Sequence, residues 1–234
     1  MAGNMNWILG LGALILLGLL LYWLVIITEG VYLGRRVVVW LYDLTAGSYD
    51  QIKEFDEEFE RSAIVRPLLA ALAGQYEPFV LDVATGTGRV PLLLINEADF
   101  NGRVVGLDAS AKMLAQGLEK IASLPAERKR QINLIRQAAE NLPFVDNSFD
   151  AVTCLEALEF FPSDRVVLKE MVRVLQPGGT LMTTRRQGWE SRFYLSRYRS
   201  KETLAELLED VGLNHIEYYP WQVNYDMVRA LKSE

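Results

Sequence analysis

The sequence predicts an α/β protein in which helices cover both faces of a parallel sheet, preceded by one long apolar helix. Two observations carry this prediction. From residue 79 onward, short apolar strands alternate regularly with helical segments, a pattern typical of parallel sheets. Before them, residues 7–27 form a run of 21 residues without a charge. The fold class is therefore that of a single α/β domain behind an apolar N-terminal helix.

The first segment has the length of a transmembrane anchor. As a helix, residues 7–27 extend about 31 Å, close to the ~30 Å hydrocarbon core of a bilayer. Trp7 and Trp23 stand towards its two ends, as aromatic residues do at membrane interfaces. Arg35 and Arg36 follow the span and no Lys or Arg precedes it, so the positive-inside rule predicts a cytoplasmic domain. The predicted boundaries are an anchor over 1–28, a juxtamembrane linker over 29–45 and one domain over 46–234.

The predicted elements then follow in order. Residues 52–73 have a helical pattern with Ile52, Phe55 and Phe59 on one face, and Pro67 starts or kinks a second helix. Ser110 and Ser163 suit helix N-caps. We predict strands over 79–83, 102–108, 132–136, 149–155 and 179–185, two more in the tail, and helices over 89–98, 110–122, 163–175 and 201–212. Right-handed crossovers place the carboxyl ends of parallel strands on one rim, where such sheets bind ligands.

A small-residue loop, 84–88, lies on that rim and indicates a bound nucleotide-like ligand. A phosphate-binding P-loop is excluded because Gly88 is followed by Arg89 and Val90 rather than by Lys and Ser or Thr. The dinucleotide-binding pattern requires a third small residue, but Pro91 occupies that position. This disfavours a dinucleotide oxidoreductase. Asp82, in the strand before the loop, would repel a pyrophosphate but suits a cationic ligand.

A second acid specifies the ligand further. Asp108 ends the next strand, 22 residues after Gly86, where a carboxylate accepts hydrogen bonds from ribose hydroxyls. A ligand with a ribose and a cation but no phosphate matches S-adenosylmethionine. We therefore expect this cofactor.

Four motifs carry a family resemblance. The segments VLDVATGTGR (80–89), VVGLDAS (104–110), AENLPFVDNSFDAV (139–152) and EMVRVLQPGG (170–179) occur in this order. Together they resemble the class I S-adenosylmethionine-dependent methyltransferases. Within that class the chain is most similar to the group of ubiquinone/menaquinone C-methyltransferases and phosphatidylethanolamine N-methyltransferases. The resemblance covers residues 42–234 and implies a Rossmann-like seven-stranded sheet whose last strand runs antiparallel.

The resemblance also implies site residues. Those that would hold the cofactor are Asp82, Ala84, Thr85, Gly86, Thr87, Gly88, Asp108, Ala109, Met113, Ala138, Ala139, Glu140 and Leu155. Ala138 departs from the family, because relatives usually carry Asp or Asn there to accept from the adenine amino group. Gln137 or the backbone would have to replace that contact.

Candidate catalytic residues are Tyr49, Glu156 and Glu159. The family tends to carry a Tyr-Asp pair over the cofactor, and Tyr49-Asp50 is favoured here over Tyr42-Asp43 because an amphipathic helix follows. The alternative is that Tyr49 is only a packed aromatic. Glu156 and Glu159 follow the fourth strand and would stabilise a cationic acceptor or take a proton, unless Glu159 pairs with a nearby Arg. Methyl transfer from a sulfonium needs position and desolvation more than a catalytic triad.

A basic and aromatic stretch follows the fifth strand. Residues 185–201 contain six basic residues against Glu190 alone, in a chain of net charge −6. We interpret it as a rim segment that docks on anionic lipid headgroups and admits the substrate, with Arg185, Arg192, Tyr194, Arg197 and Tyr198 as its contacts. The alternative is a solvated helix face paired with the acidic residues 56–60.

The predicted function is that of a membrane-anchored methyltransferase acting on a lipid or lipophilic acceptor, such as a phospholipid amine or a quinone-type ring. The alternatives are a methyltransferase of a small soluble or thiol acceptor and a non-catalytic cofactor-binding membrane protein. The acidic composition argues against a nucleic-acid partner. One cysteine and one histidine argue against a structural metal site.

Overall fold

The computed structural model describes residues 2–234, with side chains from Trp7 onward. Helix α1 (Ala2–Tyr22) continues through a π-helical turn, Trp23–Ile27. The stretch Trp7–Ile27 is the one helix in the described part of the chain that is long and apolar enough to cross a membrane. None of the residues in its most hydrophobic part is buried.

The sheet has seven strands, as predicted. They are β1 (Phe79–Val83), β2 (Arg103–Asp108), β3 (Ile132–Arg136), β4 (Phe149–Cys154), β5 (Leu175–Arg186), β6 (Leu213–Gln222) and β7 (Tyr225–Lys232). Their order is β3-β2-β1-β4-β5-β7-β6. Strands β1 to β5 pair in parallel, whereas β7 runs antiparallel to β5 and β6. The strand order reverses between β1 and β4, which places the ligand-binding switch point there.

Helices cover both faces of the sheet. The others in the described chain are α2 (Arg35–Thr45), α3 (Tyr49–Lys53), α4 (Glu57–Glu60), α5 (Arg66–Ala71), α6 (Arg89–Asn96), α7 (Ala111–Ala122), α8 (Ala126–Lys129), α9 (Asp164–Val174) and α10 (Lys201–Asp210). One core cluster joins the sheet to α9 and α10 through residues such as Leu168 and Leu208. The other joins it to α5 and α6 through Leu68 and Leu94. The predicted α/β architecture is therefore confirmed.

The helical pattern over 52–73 is broken in the structure. Helix α3 ends at Glu54, which adopts a left-handed conformation with φ 45°. Asp56 then caps α4 by accepting a hydrogen bond from the Phe59 amide at 3.0 Å. Ile52 and Phe59 remain exposed, so the predicted apolar face is not the buried one.

The stretch 29–45, predicted as a juxtamembrane linker, instead contains helix α2 packed on the domain. Asp43 accepts from the Ser110 hydroxyl at 2.5 Å and from the Lys112 amide at 3.3 Å, at the start of α7. Arg35 pairs with Glu140 at 3.0 Å. These contacts hold α2 against the carboxyl rim of the sheet, so the residues after the apolar helix form part of the folded structure.

Candidate active site

A cleft opens at the switch point, where the glycine loop after β1 faces the ends of β2 and β4. Its empty volume is about 800 Å³, including the part open to solvent. We call it the cofactor cleft. It is lined by Arg35, Val38, Val39, Tyr42, Tyr49, Ala84, Gly86, Leu107, Asp108, Ala109, Ser110, Met113, Gln137, Ala138, Ala139, Glu140, Leu155, Glu156, Ala157, Phe160, Phe161 and Pro162.

The glycine loop brings backbone to the cleft wall. Gly86 has φ 57°, and a methyl group added there would meet no atom within 4 Å. A ligand can therefore approach its backbone closely. Ala84 also adopts a left-handed conformation, with φ 57°, which costs a non-glycine residue about 1 kcal/mol. Such strained residues cluster at ligand sites.

Asp108 provides the carboxylate at the end of β2. Its Oδ2 accepts from the Gly86 amide at 2.9 Å and its Oδ1 from the Ser110 amide at 2.8 Å. Burial raises the pKa of this carboxyl, partly offset by those backbone hydrogen bonds. The carboxylate is thus fixed beside the glycine loop, with Leu107, Met113 and the 137–140 segment along the same cleft. Acid, glycines and apolar walls together fit S-adenosylmethionine.

Asp82 lies behind this cleft instead of lining it. Its carboxylate is buried within the sheet and accepts from the Thr153 hydroxyl at 2.6 Å. Burial raises the pKa of Asp82 to about 6. The donor that the buried carboxylate requires is therefore a side chain of β4, and the expectation that a cationic ligand meets it directly is not matched by this geometry.

Aromatic side chains line the opposite wall. The Tyr42 ring lies 6.1 Å from that of Tyr49 and 5.9 Å from that of Phe160. Aromatic faces favour cationic groups, so this wall is suited to a sulfonium. Both Tyr-Asp pairs contribute, because Asp43 holds α7 and Asp50 accepts from the Thr87 hydroxyl at 2.7 Å.

Glu156 is a charged residue of the cleft with two cationic partners. It pairs with Lys53 at 2.7 Å and with Arg89 at 3.0 Å. Burial alone would raise its pKa, but Arg89 and Lys53 outweigh burial and lower it. The residue adopts a left-handed conformation with φ 53°, and its amide donates to the Thr184 hydroxyl at 2.7 Å. A carboxylate held ionised in this way can complement positive charge but is a weak base.

A second cavity adjoins the cofactor cleft, with an empty volume of about 660 Å³ including its open part. We call it the polar chamber. It is lined by Glu29, Tyr42, Lys53, Glu156, Phe160, Arg186, Gln222, Val223, Asn224 and Tyr225. Tyr42, Glu156 and Phe160 belong to both cavities. The chamber therefore lies where a methyl acceptor would meet the cofactor.

Glu159 lies behind the polar chamber and outside both cavities. Its Oε1 accepts from the Tyr225 hydroxyl at 2.5 Å and pairs with Arg186 at 3.2 Å. Burial raises its pKa, while Arg186 opposes the shift. The ion pair with Arg186 agrees with the alternative prediction for Glu159, in which it pairs with a nearby arginine.

The basic stretch 185–201 divides into internal and exposed residues. Arg185 pairs with Asp226 at 2.6 Å, and both side chains are buried. Tyr194 is also buried, and its hydroxyl donates to the Ile27 carbonyl at 3.3 Å. Arg197 donates to the Phe161 carbonyl. Arg185 and Tyr194 thus do not face a membrane, which corrects their prediction as rim contacts, whereas Arg192 and Tyr198 are exposed.

The alternative for that stretch is also wrong. The arginines contact Asp164, Asp226 and Glu159 and not the acidic residues 56–60. Of those, Glu58 pairs with Arg66 and Glu60 with Arg89.

Most predicted site residues meet at the cleft. Those that line it are Tyr49, Ala84, Gly86, Asp108, Ala109, Met113, Ala138, Ala139, Glu140, Leu155 and Glu156. Those that do not are Asp82, Thr85, Thr87, Gly88 and Glu159, although Thr87 and Gly88 belong to the loop that shapes it. Gln137 lines the cleft beside Ala138, with its Nε2 donating to the Asn141 carbonyl at 3.0 Å.

The prediction missed the contribution of α2 and of the segment 160–162. Arg35, Val38, Val39 and Tyr42 line the cleft from α2. The sequence signal was the apolar stretch VVVWLY at 37–42, which lies in α2 and packs on the domain.

Comparisons with known proteins agree with this geometry. A family model described as a methyltransferase domain matches residues 81–183. A demethylmenaquinone methyltransferase of Bacillus cytotoxicus is 44% identical over 102 residues, which cover 44% of this chain and only 42% of that relative. A demethylmenaquinone methyltransferase of Bacillus licheniformis is 31% identical over 173 residues, covering 60% of this chain and 72% of the relative.

A solved structure shares the fold. The crystal structure of a SAM-dependent methyltransferase from Aquifex aeolicus aligns with a TM-score of 0.60 at 20% identity, covering 78% of this chain and 97% of that one. The chain therefore belongs to the class I S-adenosylmethionine-dependent methyltransferases, resembles the quinone methyltransferases among them, and uses S-adenosylmethionine as its cofactor.

Proposed function

We propose that this methyltransferase is anchored in a membrane by residues 7–27 and methylates a lipophilic acceptor, a quinone-type ring or a lipid headgroup. The observation that carries the proposal is the continuity between the apolar helix and the polar chamber. The helix ends in a turn at Ile27, and Glu29, two residues later, lines the chamber. An acceptor dissolved in the bilayer would thus meet the site where the span ends.

The exposure of the apolar helix supports the anchor. None of the hydrophobic window within Trp7–Ile27 is buried against the domain, whereas a core helix of a soluble protein hides its apolar face. Arg35 and Arg36 follow the span, and we propose on the positive-inside rule that the domain faces the cytoplasm.

The chain's own residues have positioning and electrostatic roles. When bound, the cofactor supplies an activated methyl group, so the protein mainly orients the reactants and excludes water. Asp108 would accept from the ribose hydroxyls, and Gly86 would present backbone to the cofactor. Glu156, held ionised by Arg89 and Lys53, would complement the positive sulfonium.

The relatives favour an oxygenated ring as the acceptor. The two curated proteins described above are named demethylmenaquinone methyltransferases, whose name specifies a quinone-type acceptor. A chamber that adjoins the cofactor cleft and opens beside the anchor suits a polar ring on an apolar tail.

The test is methyl labelling of a lipid extract. The full chain in nanodiscs is incubated with methyl-labelled S-adenosylmethionine and membrane lipids, and labelled products are separated and identified. We expect label in a lipid-soluble fraction, and none with Asp108→Ala as the matched cofactor-binding control. Label confined to water-soluble small molecules would refute a lipophilic acceptor. Release of the full chain from membranes by an alkaline wash would refute the anchor.

A further inference from the structure

We infer that the polar chamber binds an oxygen atom on the acceptor's head group, and that Arg186 donates the hydrogen bond that recognises it. The inference rests on the proposed function and specifies the acceptor chemistry within it. Three observations support it: the hydrogen-bonding state of the chamber's acids, that of Arg186, and the position of the chamber's mouth.

The acids around the chamber already have donors. Glu29 accepts from the Tyr42 hydroxyl at 2.9 Å. Glu156 has both Lys53 and Arg89. Glu159, behind the chamber, has Tyr225 and Arg186. An ammonium head group would have to compete with these contacts for a carboxylate.

Arg186 lines the chamber and has donor capacity left over. Its Nη1 pairs with Glu159, and its guanidinium packs over the rings of Tyr194 and Tyr225 at 4.2 and 5.3 Å. Its Nε is buried and has no hydrogen-bond partner within the described part of the chain. Because Nε itself is closed to solvent, a ligand oxygen would accept from the guanidinium where Arg186 lines the chamber. The unmet group is a donor, so the complementary ligand atom is an acceptor oxygen, as on a phenol or a quinone.

The chamber's mouth lies beside the end of the anchor. Glu29 lines the chamber two residues after Ile27, and Tyr194 donates to the Ile27 carbonyl at 3.3 Å. Val223 lines the same chamber and is 91% exposed. Strand β6 runs parallel to β1, so Val223 follows its carboxyl end on the rim that carries the site. An amphiphile can place its head in the chamber while its tail remains in the membrane.

The first experiment measures head-group binding without turnover. The full chain in nanodiscs is titrated with hydroquinone, an oxygen-bearing ring, and with ethylamine, an amine without oxygen, and binding is followed by saturation-transfer NMR. Arg186→Lys keeps the positive charge but removes the planar guanidinium with its several donors. The matched control is Arg185→Lys, the neighbouring residue on β5, whose partner is Asp226. Calorimetry with S-adenosylmethionine reports whether each variant retains its cofactor site.

We expect hydroquinone to bind the wild type, and Arg186→Lys to weaken it at least fivefold while cofactor affinity changes less than twofold. Arg185→Lys should leave both affinities within twofold. The inference is overturned if Arg186→Lys binds hydroquinone as well as the wild type does, or if ethylamine binds more tightly than hydroquinone. Failure of the lipid-labelling experiment, with Arg186-dependent hydroquinone binding intact, would count against the lipophilic acceptor and not against the oxygen site.

The second experiment locates the mouth. A photoreactive benzoylphenylalanine replaces Val223 in one variant and Tyr76 in another, and the chains are irradiated in nanodiscs. Tyr76 is 86% exposed and precedes β1, at the amino edge of the sheet. We expect lipid cross-links from position 223 and at least tenfold fewer from position 76. Equal yields at the two positions would contradict a mouth at the membrane.

Discussion

Replacing Asp82 by Asn should change how the stability of the protein depends on pH. Burial raises the pKa of Asp82 to about 6, from an ordinary 3.8. The folded state therefore disfavours the ionised carboxylate, so the stability present below pH 4 is lost as the pH rises through 6. A pKa shift of about two units corresponds to about 3 kcal/mol, of which about 2 kcal/mol falls between pH 4 and pH 7. Asn at this position cannot ionise and should not show the loss.

The assay is urea unfolding of the full chain in detergent at pH 4 and pH 7, followed by tryptophan fluorescence. The constant cost of the new amide beside Thr153 is the same at both pH values and cancels in the comparison. We expect the stability of Asp82→Asn relative to wild type to rise by about 2 kcal/mol between pH 4 and pH 7. Asp99→Asn, at an exposed position, is the matched control with no expected change. A pH dependence identical in wild type and Asp82→Asn would refute the reasoning.

Three further substitutions test the site and its support. Gly86→Ala should cost about 1 kcal/mol of stability because of the left-handed backbone. It should weaken S-adenosylmethionine binding at least tenfold in calorimetry, because the added methyl group enters the cofactor cleft. Its control is Gly47→Ala, also in open space but away from the cleft, which should change neither stability nor cofactor affinity. Glu156→Gln should lower the free energy of unfolding by about 2 kcal/mol in urea, since it leaves Lys53 without its carboxylate and Arg89 with Glu60 alone; a loss below 1 kcal/mol would contradict that role. Arg185→Ala should cost about 3 kcal/mol by leaving the buried Asp226 with only the half-exposed Lys201, at 3.6 Å, as a cationic partner, whereas Arg192→Ala at the exposed position should be nearly neutral.

Much of the sheet could be predicted because its information is local. Strands β1 and β3 begin and end at the predicted residues, since each is an apolar run bounded by turn residues. The glycine loop and Asp108 were recognisable for the same reason. The glycine loop and Asp108 are separated in the chain by the length of one strand–helix–strand unit.

The rest depends on contacts between distant residues. Arg185 was read as a surface cation because nothing near it in sequence is acidic, but its partner Asp226 is 41 residues away. Arg89 served only to exclude a P-loop, yet it joins Glu156, 67 residues later, to the glycine-loop helix. Several residues that line the polar chamber lie outside the matched family segment 81–183, namely Glu29, Lys53, Arg186 and Tyr225. The acceptor side was therefore the least predictable part of the site.

The short passage from the apolar helix into the domain has a kinetic consequence. Thr28 is buried, the rings of Trp23 and Tyr32 stack at 5.1 Å, and a methyl group added at Gly30 would lie 2.9 Å from Leu41. In the membrane-anchored enzyme that we propose, so tight a turn would restrict the search for the acceptor to two dimensions and to one orientation. Its rate then follows the mole fraction of acceptor among the lipids rather than the bulk concentration, and adding inert lipid at constant total acceptor slows turnover by surface dilution.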